Sequence, residues 1–265
     1  MAKPQHVRGL TPEARLADAG GRVLAGRLAD VTRWEAAVPA LEPAHAMRVA
    51  SRRLRVALRL LGLRELDKPV KALQDALGEL RDRQLQSDWL ASRDKPLQHR
   101  LALELPQAEQ KLATALQHFR RKTLPKLSRA KPARPGKLGG HRVREQLRRR
   151  IKRFDRRLDA ALRGGKPGPM HRLRIAAKQL RYCCELLADA LEAAGPLLAE
   201  LEPLQQSLGD LHDSDARIEL LRRHGRNALM REEQAVRERV AELVEQELLR
   251  WRSLGVSRKA RRALR

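Results

Sequence analysis

Acidic side chains are missing from two stretches of this chain, residues 44–64 and 169–184, although Asp and Glu total 32 over its 265 residues. A helix formed there must find its counter-charges elsewhere. Aromatic residues are scarce too: Trp34, Trp89, Trp251, Tyr182, Phe119 and Phe154 complete the set, which is poor provision for stacking on bases and counts against a reader of single-stranded nucleic acid. The two cysteines, Cys183 and Cys184, are neighbours. On a helix their side chains diverge by about 100°, so an ordinary long-loop disulfide is impossible. They read as small buried hydrophobes in a protein of a reducing compartment. No stretch reaches the roughly 18 apolar residues of a membrane span, and Met1–His6 lacks the apolar core of a signal segment. These absences lead to the expectation of a cytoplasmic protein with no membrane association.

What the chain has in excess is positive charge. Lys and Arg total 57, for a net charge of +25, and a field of that sign selects polyanions as partners. The excess is not a detachable arm, because residues 1–132 hold 26 basic and 14 acidic side chains and residues 133–265 hold 31 and 18. It belongs to a folded body, since 42% of the residues are hydrophobic, enough to bury substantial cores.

Leu, Ala, Arg and Glu dominate, β-branched residues are sparse and apolar residues recur at three and four positions, so the chain reads as all-α. Breakers at Pro39 to Pro43, Lys95-Pro96, Lys131 to Gly140, Gly164 to Pro169 and Gly195-Pro196 separate the helices. Eight principal ones are expected near 11–37, 43–63, 69–92, 96–124, 141–163, 169–193, 196–223 and 226–252, with Gly20-Gly21 and Pro106 placed to kink or split two of them. The segment from Leu73 to Asp82 resembles that from Leu204 to Asp213 at an offset of 131, and a histidine-bearing helix repeats at an offset of 126. The expectation is two pseudo-symmetric four-helix bundles from an internal duplication: a first unit over 1–130, a linker over 131–140, a second unit over 141–256 and a mobile basic tail over 257–265.

The repeated helix carries the functional signal. In the first copy His45, Arg48, Arg52, Arg55 and Arg59 return to one face within about 80° of one another. The second copy repeats the pattern with His171, Arg174, Lys178 and Arg181. The apolar set Met47, Ala50, Leu54, Ala57, Leu58 and Leu61 lies roughly 150° away, and Leu173, Ala176, Leu180, Cys183, Cys184 and Leu187 occupy the same register in the second copy. Neighbouring like charges cost roughly 0.2–0.5 kcal/mol per pair, so a cation row without acids of its own asks for an anionic partner. Pro43 and Pro169 each precede a histidine by two residues, which predicts both histidines in an opening helical turn, where free amides and the helix dipole favour an anion. Such a histidine is neutral when the site is empty and charged when it is filled.

A solvated arginine-rich face is the plain alternative for any one of these runs; repetition in identical register argues against it. Metal chelation fits poorly, because neither histidine has a ligand at i+3 or i+4 and the arginines would repel a cation. Arg81-Asp82 and His212-Asp213 stand at equivalent places near Gly78 and Gly209, where the aspartate would brace a stripe arginine and the glycine would permit close helix approach. Residues 142–157 form a further basic concentration, from which Arg148, Arg149, Lys152 and Arg153 are secondary anion-site candidates. No phosphate-cradling glycine loop, nucleophile elbow, cysteine cluster or magnesium-holding carboxylate pair accompanies these cations, so no enzyme activity, cofactor or resident metal is expected.

The His-x-x-Arg-x-x-x-Arg/Lys-x-x-Arg helix, present twice and followed each time by Leu-Gly-Glu/Asp-Leu-x-Asp, resembles the CHAD family, the conserved histidine α-helical domain, over about residues 10–252. The resemblance implies two four-helix bundles around a basic central cavity that binds inorganic polyphosphate. Carried over by position, the ligands would be His45, Arg48, Arg52, Arg55 and Arg59 from one unit and His171, Arg174, Lys178 and Arg181 from the other. Glu185 departs from the pattern by standing where Arg59 stands in the first unit. An attached triphosphate-tunnel domain, frequent in the family, finds no Glu-x-Glu-x-Lys strand here, so triphosphate hydrolysis is not implied. A role as a localisation or scaffold module on polyphosphate granules follows as an expectation. The rival is a DNA- or RNA-binding protein using the same charge for non-specific phosphate contact, distinguished by cations that are exposed instead of enclosed.

Overall fold

The computed structural model describes residues 5–132, 135–163 and 167–265; residues 133–134 of the expected linker, 164–166 of the fourth breaker and 1–4 of the opening segment lie outside the described residues. Among those described, helices account for all the regular structure apart from one isolated bridge between Arg15 and Lys137. The chain divides into two compact units, Met1–Leu138 and Gly139–Arg265.

In the first unit, α1 (Leu16–Thr32) packs on α2 (Leu41–Leu61), which packs on α3 (Asp67–Leu90). The predicted apolar face of α2 is the core: Met47, Leu54, Ala57 and Leu58 are fully buried, and Ala50 and Leu61 nearly so. Gly62 ends the helix in the left-handed conformation, φ 86°, which glycine adopts without steric cost. The segment expected as one helix over 96–124 breaks into α4 (Lys95–Ala102), α5 (Leu105–His118), a π-helical turn (Phe119–Thr123) and α6 (Leu124–Arg129). Pro106 and Pro125 each fall in the first turn of the helix they open, where a missing amide proton costs nothing. The wide turn at Phe119 keeps that ring and Thr123 buried.

The second unit runs α7 (His141–Leu162), α8 (Pro167–Leu187), α9 (Ala194–Arg223), α10 (Asn227–Ser253) and α11 (Val256–Ala263), with α8 held between α7 and α9. Its core face on α8 is again the predicted one, with Leu173, Leu180, Cys183, Cys184 and Leu187 fully buried. Both cysteines are free, and burial pushes their thiols above the ordinary range, which leaves them unreactive. On α7 the seam Val143, Leu147, Ile151, Phe154 and Leu158 is buried, and the Phe154 ring lies 4.9 Å from Trp251 of α10.

The expected mobile tail is a correction. Residues 256–263 form α11, which packs on α7 and α9. Ser257, Ala260 and Leu264 are buried, and Trp251 Nε1 donates to Ser257 Oγ at 3.1 Å. Burial at i, i+3 and i+7 along one face, with the arginines on the other, is what makes this short basic segment helical.

Candidate anion-binding site

In the first unit the stripe of α2 faces α3. Proline does not set the helix start as expected: α2 begins at Leu41, and the Ala44 amide already donates to Ala40. Pro43 is therefore the third residue of the helix and His45 the fifth, beyond the free amides of the first turn. The same shift holds in α8, which begins at Pro167 and places His171 fifth. The candidate site therefore consists of side chains, and the histidines do not share it with free backbone amides.

His45 is half-buried, and its Nδ1 is buried without a hydrogen-bond partner among the described residues. Burial, and then the positive charges of Arg81, Arg52 and Arg48, lower its pKa from 6.5 to about 4. It is neutral at pH 7. Arg48 lies over Gly78 of α3: a Cβ at that glycine would stand 2.8 Å from Arg48 Nη2, so a side chain there would push the guanidinium from its present place. Arg48 Nη1 donates to Asp82 Oδ1 at 3.2 Å. In this unit the glycine and the aspartate do hold a stripe arginine, as their spacing suggested. In the second unit Gly209 meets nothing within 4 Å, so no close approach requires it.

Farther along α2, the expectation that the stripe lacks compensating acids is overturned by α3. Asp67 accepts from Arg55 Nε at 2.7 Å and Nη2 at 3.3 Å, and from Arg59 Nη2 at 2.7 Å and Nε at 3.1 Å. Gln74 Oε1 takes a third bond from Arg55, at 3.0 Å. Burial works to raise the Asp67 carboxyl, but the hydrogen bonds from Arg55 and Arg59 outweigh it and hold the group below its ordinary value. Arg52, between these two ends, has no ion-pair partner among the described residues and is half-exposed.

In the second unit His171 is exposed and its ring lies 5.1 Å from that of His212 on α9. Burial, then Arg174, Lys178 and Arg172, lower the His171 pKa, with Asp215 opposing. Arg174 and Lys178 are half-exposed on the same face. Arg181 differs: it is buried, donates through Nε to Glu185 Oε1 and through Nη2 to Glu202 Oε1, both at 3.0 Å, and is committed to the fold. The departure at Glu185 is thus an internal partner for Arg181.

Arg81 and His212 are the residues that the sequence reading treated only as bracing. They occupy equivalent places in α3 and α9 and each stands beside the stripe histidine of its unit. The signal was their common offset to the duplicated Leu-Gly segments. The secondary candidates on α7 separate: Arg148 and Lys152 line a groove with α11, Arg149 is exposed and donates to Glu145 Oε1 at 3.1 Å, and Arg153 is exposed. Among the described residues no group of three or more His, Cys, Asp or Glu side chains gathers as for a metal ion, and no helix is long and apolar enough to cross a membrane.

Anion binding at these histidines should be pH-dependent. An anion on the stripe would favour protonated His45, raising its pKa from about 4, so binding should take up a proton and affinity should rise as pH falls from neutrality. In the empty protein the sign is opposite for stability: the unfolded histidine protonates first, so the contribution of neutral His45 is full above pH 6.5 and is lost as pH falls toward about 4. Calorimetry in buffers of different ionisation enthalpy should register proton uptake on binding at pH 6, and a His45→Gln, His171→Gln variant should flatten the affinity profile. A wild-type profile that is already flat would remove the histidines from the site.

A helical fold with a cation-bearing helix in each unit defines the class: all-α proteins whose positive charge is organised on one helix face. The CHAD domain family matches over residues 22–222, well over half of the chain, and the chain belongs to that family. The solved structures similar to this chain include a plant and a bacterial protein. The CHAD domain from the plant Ricinus communis aligns with a TM-score of 0.67 at 23% identity, covering 99% of this chain and 96% of its own. PptA from Streptomyces chartreusis aligns with a TM-score of 0.69 at 17% identity, covering 91% of this chain and 100% of its own. No curated protein matches the sequence.

Proposed function

We propose that this CHAD protein binds inorganic polyphosphate through the stripes of α2 and α8, as a non-catalytic module that localises or scaffolds on polyphosphate deposits. The observation that carries the reading is the surroundings of His45: a buried nitrogen without a partner among the described residues, made neutral by burial and by the charges of Arg81, Arg52 and Arg48. Cations held near one another without a full set of acids have their electrostatic cost relieved by an anion of high charge density. A linear phosphate chain supplies charge at regular intervals and offers no bases to read, which suits a face of His, Arg and Lys with no aromatic among its stripe residues. Membership of the CHAD family supports the same ligand. Cytoplasmic residence and association with polyphosphate granules belong to this proposal.

The reading is tested by competition at matched salt, with long-chain polyphosphate, duplex DNA and single-stranded RNA displacing a labelled polyphosphate chain. Polyphosphate should compete at least tenfold more tightly per phosphate than either nucleic acid. Equal or better competition by DNA or RNA would make the protein a general phosphate-backbone binder.

A further inference from the structure

The groove between α7 and α11 lies within the second unit, encloses about 410 Å³, and is lined by none of the α8 stripe residues. Its walls are Arg148 and Lys152 from α7, Arg258, Arg261 and Arg262 from α11, and the following Arg265, with Glu145 as the one acid. Two of these cations have a carboxylate: Arg148 lies 3.9 Å from Glu145, and Arg261 pairs with Asp155. Lys152, Arg258, Arg262 and Arg265 have no ion-pair partner among the described residues. Like charges at i, i+4 on each helix, Arg148 with Lys152 and Arg258 with Arg262, oppose helix formation. Yet α11 is firmly docked by Ala260, Leu264 and the Trp251–Ser257 hydrogen bond. The fold therefore spends burial on one face of α11 to hold its cations against those of α7.

We propose that this groove is a second anion site, taking a compact condensed phosphate such as a short oligophosphate. The volume is that of a small-ligand site. Its lining residues include no aromatic side chain on which a base could stack and no aliphatic one. Four arginine or lysine side chains with no ion-pair partner among the described residues, in a concave setting, suit several closely spaced phosphate oxygens better than one monovalent anion, because each guanidinium can give paired bonds to phosphate. The ligand class rests on the reading proposed for the stripes; the location of the site does not.

Isothermal titration of the intact chain with tripolyphosphate tests it, comparing wild type with a groove variant, Lys152→Gln with Arg258→Gln and Arg262→Gln, and with a stripe variant, Arg52→Glu with Arg174→Glu. All three groove positions are exposed, so the fold should persist by circular dichroism, and single Arg262→Glu provides a second, smaller change. The groove variant should lose one binding event, or weaken it at least tenfold, and the stripe variant should keep that event. Orthophosphate should bind the groove at least tenfold more weakly than tripolyphosphate. A groove variant that titrates like wild type overturns the site, and equal affinity for orthophosphate overturns the condensed-phosphate assignment. Displacement of tripolyphosphate from the stripe variant by duplex DNA at equal phosphate concentration overturns it too. Loss in the groove variant with a stripe variant that binds long polyphosphate normally upholds the groove and defeats the reading of the stripes.

Discussion

Reversing Arg52 and Arg174 to glutamate should weaken long-chain polyphosphate binding by about a hundredfold to ten-thousandfold while leaving the fold intact. Each position gives the ligand a charge-assisted contact worth roughly 1.5–3 kcal/mol, and two such losses sum to the quoted range at about 1.4 kcal/mol per tenfold. Arg52 is the better choice on α2 because it is half-exposed and has no ion-pair partner among the described residues. Arg48 is not, since glutamate there would place a second carboxylate beside Asp82 and mix loss of binding with loss of stability. The salt dependence should change in step: losing two contacts lowers the slope of log affinity against log salt by roughly 1.4, taking the single-strand coefficient. Affinity that survives the double reversal, measured with circular dichroism unchanged, would move the binding face off α2 and α8.

Asp67→Asn should act in opposite directions on folding and on binding. Asp67 is mostly buried, at 17% side-chain exposure, and clamps both Arg55 and Arg59. Neutralising it leaves one oxygen at position 67 where two accepted from both guanidinium groups and should cost about 2 kcal/mol, which lowers the melting temperature by roughly 5–10 °C for a unit of this size. The contribution of the ionised carboxyl is present above its ordinary value and fades as pH falls through its lowered one, so the variant and wild type should converge in acid. Binding should improve about tenfold, because a phosphate chain no longer has to displace a carboxylate to reach the two arginines; a tenfold gain is about 1.4 kcal/mol. Thermal unfolding with and without polyphosphate measures both effects. Unchanged affinity would end the binding stripe at Arg52 and make Arg55 and Arg59 structural residues.

The helices bearing the stripes were legible because core and charge take opposite faces and repeat in register: Met47 and Leu173, Leu54 and Leu180, Leu58 and Cys184 are all buried as their spacing required. What the sequence did not disclose was pairing between helices. Asp67 is 12 residues from Arg55, and Asp82 is 34 from Arg48, and no helical period links such positions. The helix starts were misplaced for a related reason. Proline is compatible with any position of a first turn, so Pro43 and Pro169 did not fix which residue opens the helix. In α11 the apolar signal was only Ala260 and Leu264, with polar Ser257 completing the buried face, and the surrounding arginines made it read as a tail. Arg81 and His212 emerged only once α3 and α9 were seen beside the stripe helices.

If the stripes bind polyphosphate as proposed, the carboxylates already seated on them, Asp82, Asp67 and Glu185, would give the protein a way to discriminate by length without measuring it. A lone phosphate must unseat a resident acid to reach Arg48, Arg55 or Arg59, and one contact exchanged for another yields almost no net gain. A connected chain that has taken Arg52 presents its next phosphate to the neighbouring arginine at an effective concentration in the millimolar range. Each further exchange is then intramolecular, and small gains accumulate along the stripe. On that reading the resident acids would work as an entry threshold, keeping abundant monomeric anions out of a strongly positive surface while admitting polymers.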